Sequence, residues 1–182
     1  MLRVISGAHH FDMAPGPCHM IAAPEEAPPF SVDGVVMEED TFLVLSAPKT
    51  VRPGREPLIR IMTRVIETRP REPGTVIVKG KKPLQLLAIV HDLNQDPTWK
   101  ETWISDALRG VLKIAEERRL HSIALPMLGT VHGTFDGQKF MLLLGSALKD
   151  IHPAQLKRIW MIIPSGTRLQ TLEVLKSALN TR

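Results

Sequence analysis

The run LQLLAIVH at residues 84–91 most constrains what this chain can fold into, because it is unbroken in apolar side chains from Leu86 to Val90. Successive side chains of a strand point to opposite faces, so a strand that is apolar throughout needs cover on both. The same demand recurs downstream in HSIALPML (121–128) and LKRIWMIIP (156–164). Helical patterns lie between and after these runs. Residues 104, 107, 108, 111, 112 and 115 form one apolar stripe, and FDGQKFMLLLGSALKD predicts a helix from Gly137. Asp96, Pro97 and the Thr98–Glu101 pair predict the start of the first helix, by cap and capping-box spacing. A last helix is predicted over SGTRLQTLEVLKSALN, with Leu169, Leu172, Leu175 and Leu179 on one side. This alternation predicts an α/β protein, a three-layer α/β/α sandwich with a mixed sheet.

Upstream the pattern is less regular. GTVIVKG predicts a strand joined to 84–91 through Gly80–Pro83. EPLIRIMTRVIE has Pro57 early and apolar residues at 58, 61, 62, 65 and 66, which predicts a short amphipathic helix. VVM and TFLVLSA (41–47) read as two strands separated by an acidic turn, EED. Residues 1–34 hold five prolines and read as an irregular segment packed on a domain spanning 35–182. One short strand is expected there, at Leu2–Ser6 or Cys18–Ala22.

Charge is unevenly spread. Residues 1–48 carry one basic and seven acidic side chains, residues 49–82 ten and three, and the remainder twelve and nine. A basic block favours anionic ligands such as phosphates and nucleotides, although a solvated basic face has the same composition. With aromatics at 4% and no tyrosine, recognition of nucleic acid by base stacking is not expected. No apolar run reaches the 18 residues of a membrane span, so no membrane partner is expected. MLRVISGAHH lacks the apolar region of a signal peptide, and Cys18, the one cysteine, can form no intrachain disulfide. Both point to the cytoplasm.

In open α/β sheets ligands gather beyond the carboxyl ends of the strands. Three strand-to-helix segments qualify: Ser46–Arg55, Leu128–Phe135 and Pro164–Thr167. The loop at 129–137, around the middle one, carries Gly129, Gly133 and Gly137, with Thr130 and Thr134 between them. Glycines let backbone N–H groups approach an anion, and the following helix adds its positive end. A tight turn with no ligand would use the same residues. His9, His10, Asp12, Cys18 and His19 are all ligand types, but their spacing matches no zinc pattern, so no metal is expected. His91 reads as a hydrogen-bonded structural histidine, while His132 lies inside the glycine loop, where it could meet phosphate.

Residues 74–135, from GTVIVKG through LLAIVHD and HSIALPML to GTVHGTF, resemble the second half of a macro domain. That family has an apolar strand ending in histidine, a helix, a strand ending -ALP or -FP, and a loop of the form G-T-G-x-x-G. FLVLSAP would occupy the place of the family's strand ending N-A-A-N. The resemblance implies the α/β/α fold, which commonly binds ADP-ribose and in some members hydrolyses ADP-ribosyl or related bonds. The same general fold occurs at the amino terminus of leucine aminopeptidases in a structural role, so fold alone does not fix function.

Here GTVHG is one residue shorter than the family loop, with Val131 where a glycine belongs, and SAPKTVRPGREP replaces both the asparagine pair and the long first loop. Hydrolysis is therefore not expected, and no catalytic residue or cofactor is assigned. The expected ligand site comprises Ser46, Ala47, Arg52, Arg55, Gly129, Thr130, Val131, His132, Gly133, Thr134, Phe135, Ser165 and Gly166, holding ADP-ribose or a similar nucleotide. In the alternative reading the pocket is closed and the domain is a scaffold for a protein partner.

Overall fold

Seven strands among the described residues form one mixed sheet in the computed structural model, which describes residues 9–12, 18–45 and 69–164, with 173, 174 and 177. The strands are β1 (His9–Asp12), β2 (His19–Ala23), β3 (Gly34–Asp40), β4 (Val76–Lys79), β5 (Leu84–His91), β6 (Ser122–Pro126) and β7 (Arg158–Ile162). Their order is β1-β2-β7-β6-β3-β5-β4. The five from β2 to β5 run parallel, and antiparallel pairings with β1 and β4 close the two flanks. Two helices are described, α1 (Glu101–Glu117) and α2 (Gly137–Ile151).

Strand alternation divides the core. One face carries Val36, Leu86, Ala88, Val90, Ile123, Leu125, Ile159 and Met161 against the helices. The stripe read from the sequence is the buried side of α1: Ile104, Ala107, Leu108, Val111, Leu112 and Ala115. On the other face Ala23, Ala124 and Trp160 gather Phe30, Val32, Val35 and Ile162. Leu87 and Ile89, which alternate with the first set along β5, are also buried, so that strand is covered on both sides as its sequence requires. The chain is an α/β protein with a mixed sheet.

Helix α2 starts where expected. The Asp136 side chain accepts the Lys139 N–H at 2.9 Å, and His152 ends the helix in the left-handed region at φ 48°. Helix α1 starts later than Asp96 and Thr98 suggest, at Glu101 after Lys100. Thr98 is not a cap, because its hydroxyl is bonded to the His91 ring.

Two upstream expectations are overturned. Residues 1–34, read as irregular, supply β1 and β2 to the sheet; β2 matches the strand read at 18–22, while 2–6 lies outside the described residues. EED is not a turn between strands but the buried end of β3, and 41–45 is a turn rather than a strand. The Asp40 carboxylate accepts the N–H groups of Phe42 (2.7 Å), Val44 (2.8 Å) and Leu45 (2.9 Å), folding the chain back on itself as soon as the strand ends. The helix expected over 57–67 lies outside the described residues, as does most of the terminal helix, of which 173, 174 and 177 are helical.

Candidate functional site

Strands β6, β3 and β5 are neighbours and parallel, so the loops that leave them, at 127–136, 41–45 and 92–100, emerge together. Three acids close the middle strand. Glu38 is 5% exposed, and Glu39 and Asp40 are wholly buried. Burying a carboxylate is costly unless hydrogen bonds satisfy it. Asp40 is satisfied by the turn described above, and Glu39 Oε1 accepts from Asp40 N–H at 3.1 Å and Leu45 N–H at 2.8 Å.

Glu38 has a different set of partners. Its Oε1 lies 2.5 Å from His91 Nε2 and accepts the Gly129 N–H at 2.7 Å. His91 is completely buried, and its Nδ1 meets Thr98 Oγ1 at 2.9 Å. With Glu38 as the carboxylate, Nε2–H donates and the Thr98 hydroxyl donates to Nδ1. This chain of contacts ties the ends of β3 and β5, the loop before α1 and the glycine loop into one unit. Glu38 Oε2 and Thr41 Oγ1 are buried with no hydrogen-bond partner among the described residues.

The glycine loop is shaped from both ends. Gly129 has φ 81°, and a Cβ there would lie 2.6 Å from Ile104 Cδ1 and 3.0 Å from Phe135 Cβ. Its carbonyl accepts the Phe135 N–H at 3.0 Å. A Cβ at Gly133 would meet that carbonyl oxygen at 2.6 Å, Trp99 Cδ1 at 2.7 Å and His91 Cε1 at 3.1 Å. The Thr130 N–H and hydroxyl both donate to Met127 O, at 3.1 and 2.6 Å. Val131 is 59% exposed, His132 and Thr134 are exposed, and Phe135 is buried edge-on against Trp99 at 4.9 Å between ring centres. The His132 ring stands at 82° to that of His91, centres 6.4 Å apart. Among the described residues none accepts from the N–H groups of Val131, His132, Gly133 or Thr134.

The residues read from the sequence therefore fall into three groups. Val131, His132 and Thr134 form the exposed crest of the loop. Gly129, Thr130, Gly133 and Phe135 hold its shape and face inward or back to the chain. Ser46, Ala47, Arg52, Arg55, Ser165 and Gly166 lie outside the described residues. His91 is the structural histidine expected, with both ring nitrogens engaged. Glu38, its partner, belongs to EED, which the sequence suggests is an acidic turn; its only mark there is its place directly after the apolar run VVM.

The neighbouring loop is organised by Asp92. Its carboxylate accepts from Asn94 N–H (3.1 Å), Asn94 Nδ2 (3.2 Å) and Gln95 Nε2 (2.6 Å). The Asn94 backbone bond does most to hold this carboxyl below its ordinary value, against a smaller upward push from burial. Among the described residues no group of three or more histidine, cysteine or acidic side chains is placed to hold a metal ion. No described helix is long and apolar enough to cross a membrane.

No protein-family model matches the sequence, and no curated protein matches it significantly. Solved structures do match the fold. The Oceanobacillus iheyensis macrodomain solved with ADP is 12% identical over 95% of each chain, with a TM-score of 0.64. A variant of the same domain solved with ADPR is 12% identical over 95% of this chain and 97% of its own, with a TM-score of 0.63. The Mycobacterium tuberculosis DarG macrodomain is 14% identical over 79% of this chain and 98% of its own, with a TM-score of 0.54. At such identities the likeness is one of architecture, and it spans nearly the whole of those domains: this chain has the macrodomain fold, in divergent form.

Proposed function

We propose that this protein binds ADP-ribose or a related phosphate-containing nucleotide, without hydrolysing it, where the loops after β3, β5 and β6 converge. The observation that carries this reading is the crest of the glycine loop. It carries a run of backbone N–H groups, from Val131 to Thr134, that no described residue takes up, and in this reading an anion takes them. The Oceanobacillus domain of the same fold has been solved with ADP and with ADPR, which supports the ligand class. Ser46, Ala47, Arg52, Arg55, Ser165 and Gly166 are assigned to the site in this reading, the two arginines for their affinity for phosphate. His91 is no general base, since both its ring nitrogens are engaged and the ring is sealed under Gly133.

Calorimetric titration with ADP-ribose, with AMP and ADP as controls, tests the reading. Micromolar binding, weakened by His132→Ala in a protein that stays folded, is expected. No heat up to millimolar ligand from folded protein would end it.

One observation favours a second reading, a domain for protein contacts. Val44, Leu93 and Val131 are 45%, 50% and 59% exposed, one on each of the three converging loops. Aliphatic side chains gathered at one end of a sheet are a common mark of a partner surface. Under this reading nucleotide titrations are silent, and Leu93→Asp or Val131→Asp abolishes partner binding.

A further inference from the structure

The Glu38 carboxylate takes the Gly129 N–H, the first of the glycine loop, at 2.7 Å, and does so from within the protein. It cannot swing aside freely, because the same oxygen lies 2.5 Å from His91 Nε2, and His91 is held in turn by Thr98. The far end of the loop is equally fixed, with Gly133 pressed between the Gly129 carbonyl, Trp99 and His91. Between these pins the chain can only project outward, and it does so at Val131 and His132. Glu38 Oε2 has no hydrogen-bond partner among the described residues, so the carboxylate's charge is compensated from one side only.

We propose that Glu38 sets the register of the ligand on the glycine loop. This deepens the nucleotide-binding reading and rests on it. A phosphate placed on the Gly129 N–H would share one donor with a carboxylate, two anions about a single hydrogen in a region shut off from water. The protein's own carboxylate is thus the permanent occupant of that position. The ligand's phosphate is confined to the N–H groups of Val131–Thr134, with the His132 imidazole, the one ionisable side chain between Gly129 and Phe135, beside it. Glu38 acts here as a positioning residue and does not touch the ligand.

Backbone amide spectra of the full chain, titrated with ADP-ribose, test this directly. The amide signals of residues 131–134 are expected to move on saturation while that of Gly129 stays in place. In Glu38→Ala, which removes the acceptor and frees the Gly129 N–H, the Gly129 signal is expected to join those that move. A Gly129 shift in the wild type as large as those at 131–134 overturns the register proposal and leaves the nucleotide reading standing. Silence at every amide up to millimolar ADP-ribose overturns both. The wild-type titration decides the matter even if Glu38→Ala does not fold.

Discussion

Glu38 and His91 meet across adjacent parallel strands with 2.5 Å between Oε1 and Nε2, and their side chains are 2% and 1% exposed. The pair joins β3 to β5 and, through Gly129, to the glycine loop. It therefore serves as a structural contact whatever the ligand.

Removing one partner of such a pair leaves the other's polar group unsatisfied in the interior, which costs about 1–3 kcal/mol. Glu38→Ala and His91→Ala should each lower the urea midpoint by an amount of that order. Replacing both at once, as Glu38→Ala with His91→Ala, should cost clearly less than the two single losses together. Equilibrium unfolding of the four proteins measures the coupling; strictly additive losses would show that the contact is not a coupled one.

Gly133 is a position where any side chain meets protein before it meets ligand. A Cβ would stand 2.6 Å from the Gly129 carbonyl oxygen and 2.7 Å from Trp99 Cδ1, and the first of these is backbone that cannot step aside. Gly133→Ala should destabilise by about 1–3 kcal/mol, the usual result of overpacking. His132→Ala, on the exposed crest, should stay within about 0.5 kcal/mol of wild type. Thermal unfolding of both variants checks this, and equal stability would mean the loop relaxes freely. Binding lost in a Gly133 variant would thus report a deformed loop, whereas binding lost in His132→Ala would report contact.

Acid should loosen the ends of the fold. At Asp33 burial raises the carboxyl, but hydrogen bonds from the His121 backbone and from the Ser122 hydroxyl and backbone outweigh it and leave the group below its ordinary value of 3.8. At Glu116 burial is again opposed and exceeded, here by the N–H groups of Leu156, Gln155 and Ala154, against an ordinary value of 4.5. A folded-state pKa below the unfolded one stabilises fully above the unfolded value, and that stability drains away as pH falls through the folded value. The melting temperature should therefore be flat with respect to these groups above about pH 5 and decline below about pH 4. Asp33→Asn with Glu116→Gln should flatten the decline. Parallel decline in wild type and variant, followed by circular dichroism, would remove these two carboxylates as its cause.

Cys18 is 3% exposed, and burial pushes its thiol up to about 12. A thiol that is both covered and protonated should not react with a disulfide reagent at pH 8. Full reaction is expected only on unfolding in denaturant. Rapid labelling of the native protein would show that the start of β2 opens readily.

What the sequence made legible was whatever followed hydrophobic periodicity. The stripe of α1, the unbroken apolar run of β5 and the start of α2 at Gly137 were all readable, because apolar side chains mark the buried positions there, as a stripe or as a continuous run. Failure came where polar groups go inside. Glu38, Glu39 and Asp40 carry the signature of a solvated turn, and nothing local announces that His91 and a set of backbone N–H groups will satisfy them. The same contact displaced the start of α1, since Thr98 spends its hydroxyl on His91 rather than on a helix end. The glycine loop was found by its composition, but the use of Gly129 and Gly133 as inward pins appears only once Ile104, Trp99 and His91 stand around them.

The pairing of β2 with β7 along five residues, His19 with Arg158 through Ala23 with Ile162, has a practical side. A fragment begun at residue 35, after the proline-rich stretch, would strip β7 of that neighbour and turn an interior strand into a bare rim. Its N–H and C=O groups would then be open to any chain able to pair with them, a common route to aggregation. Met20 and Ala22 would also leave the core. Shortened versions for expression or crystallisation should keep the chain from residue 9 onward, since the first hairpin seals the border of the sheet.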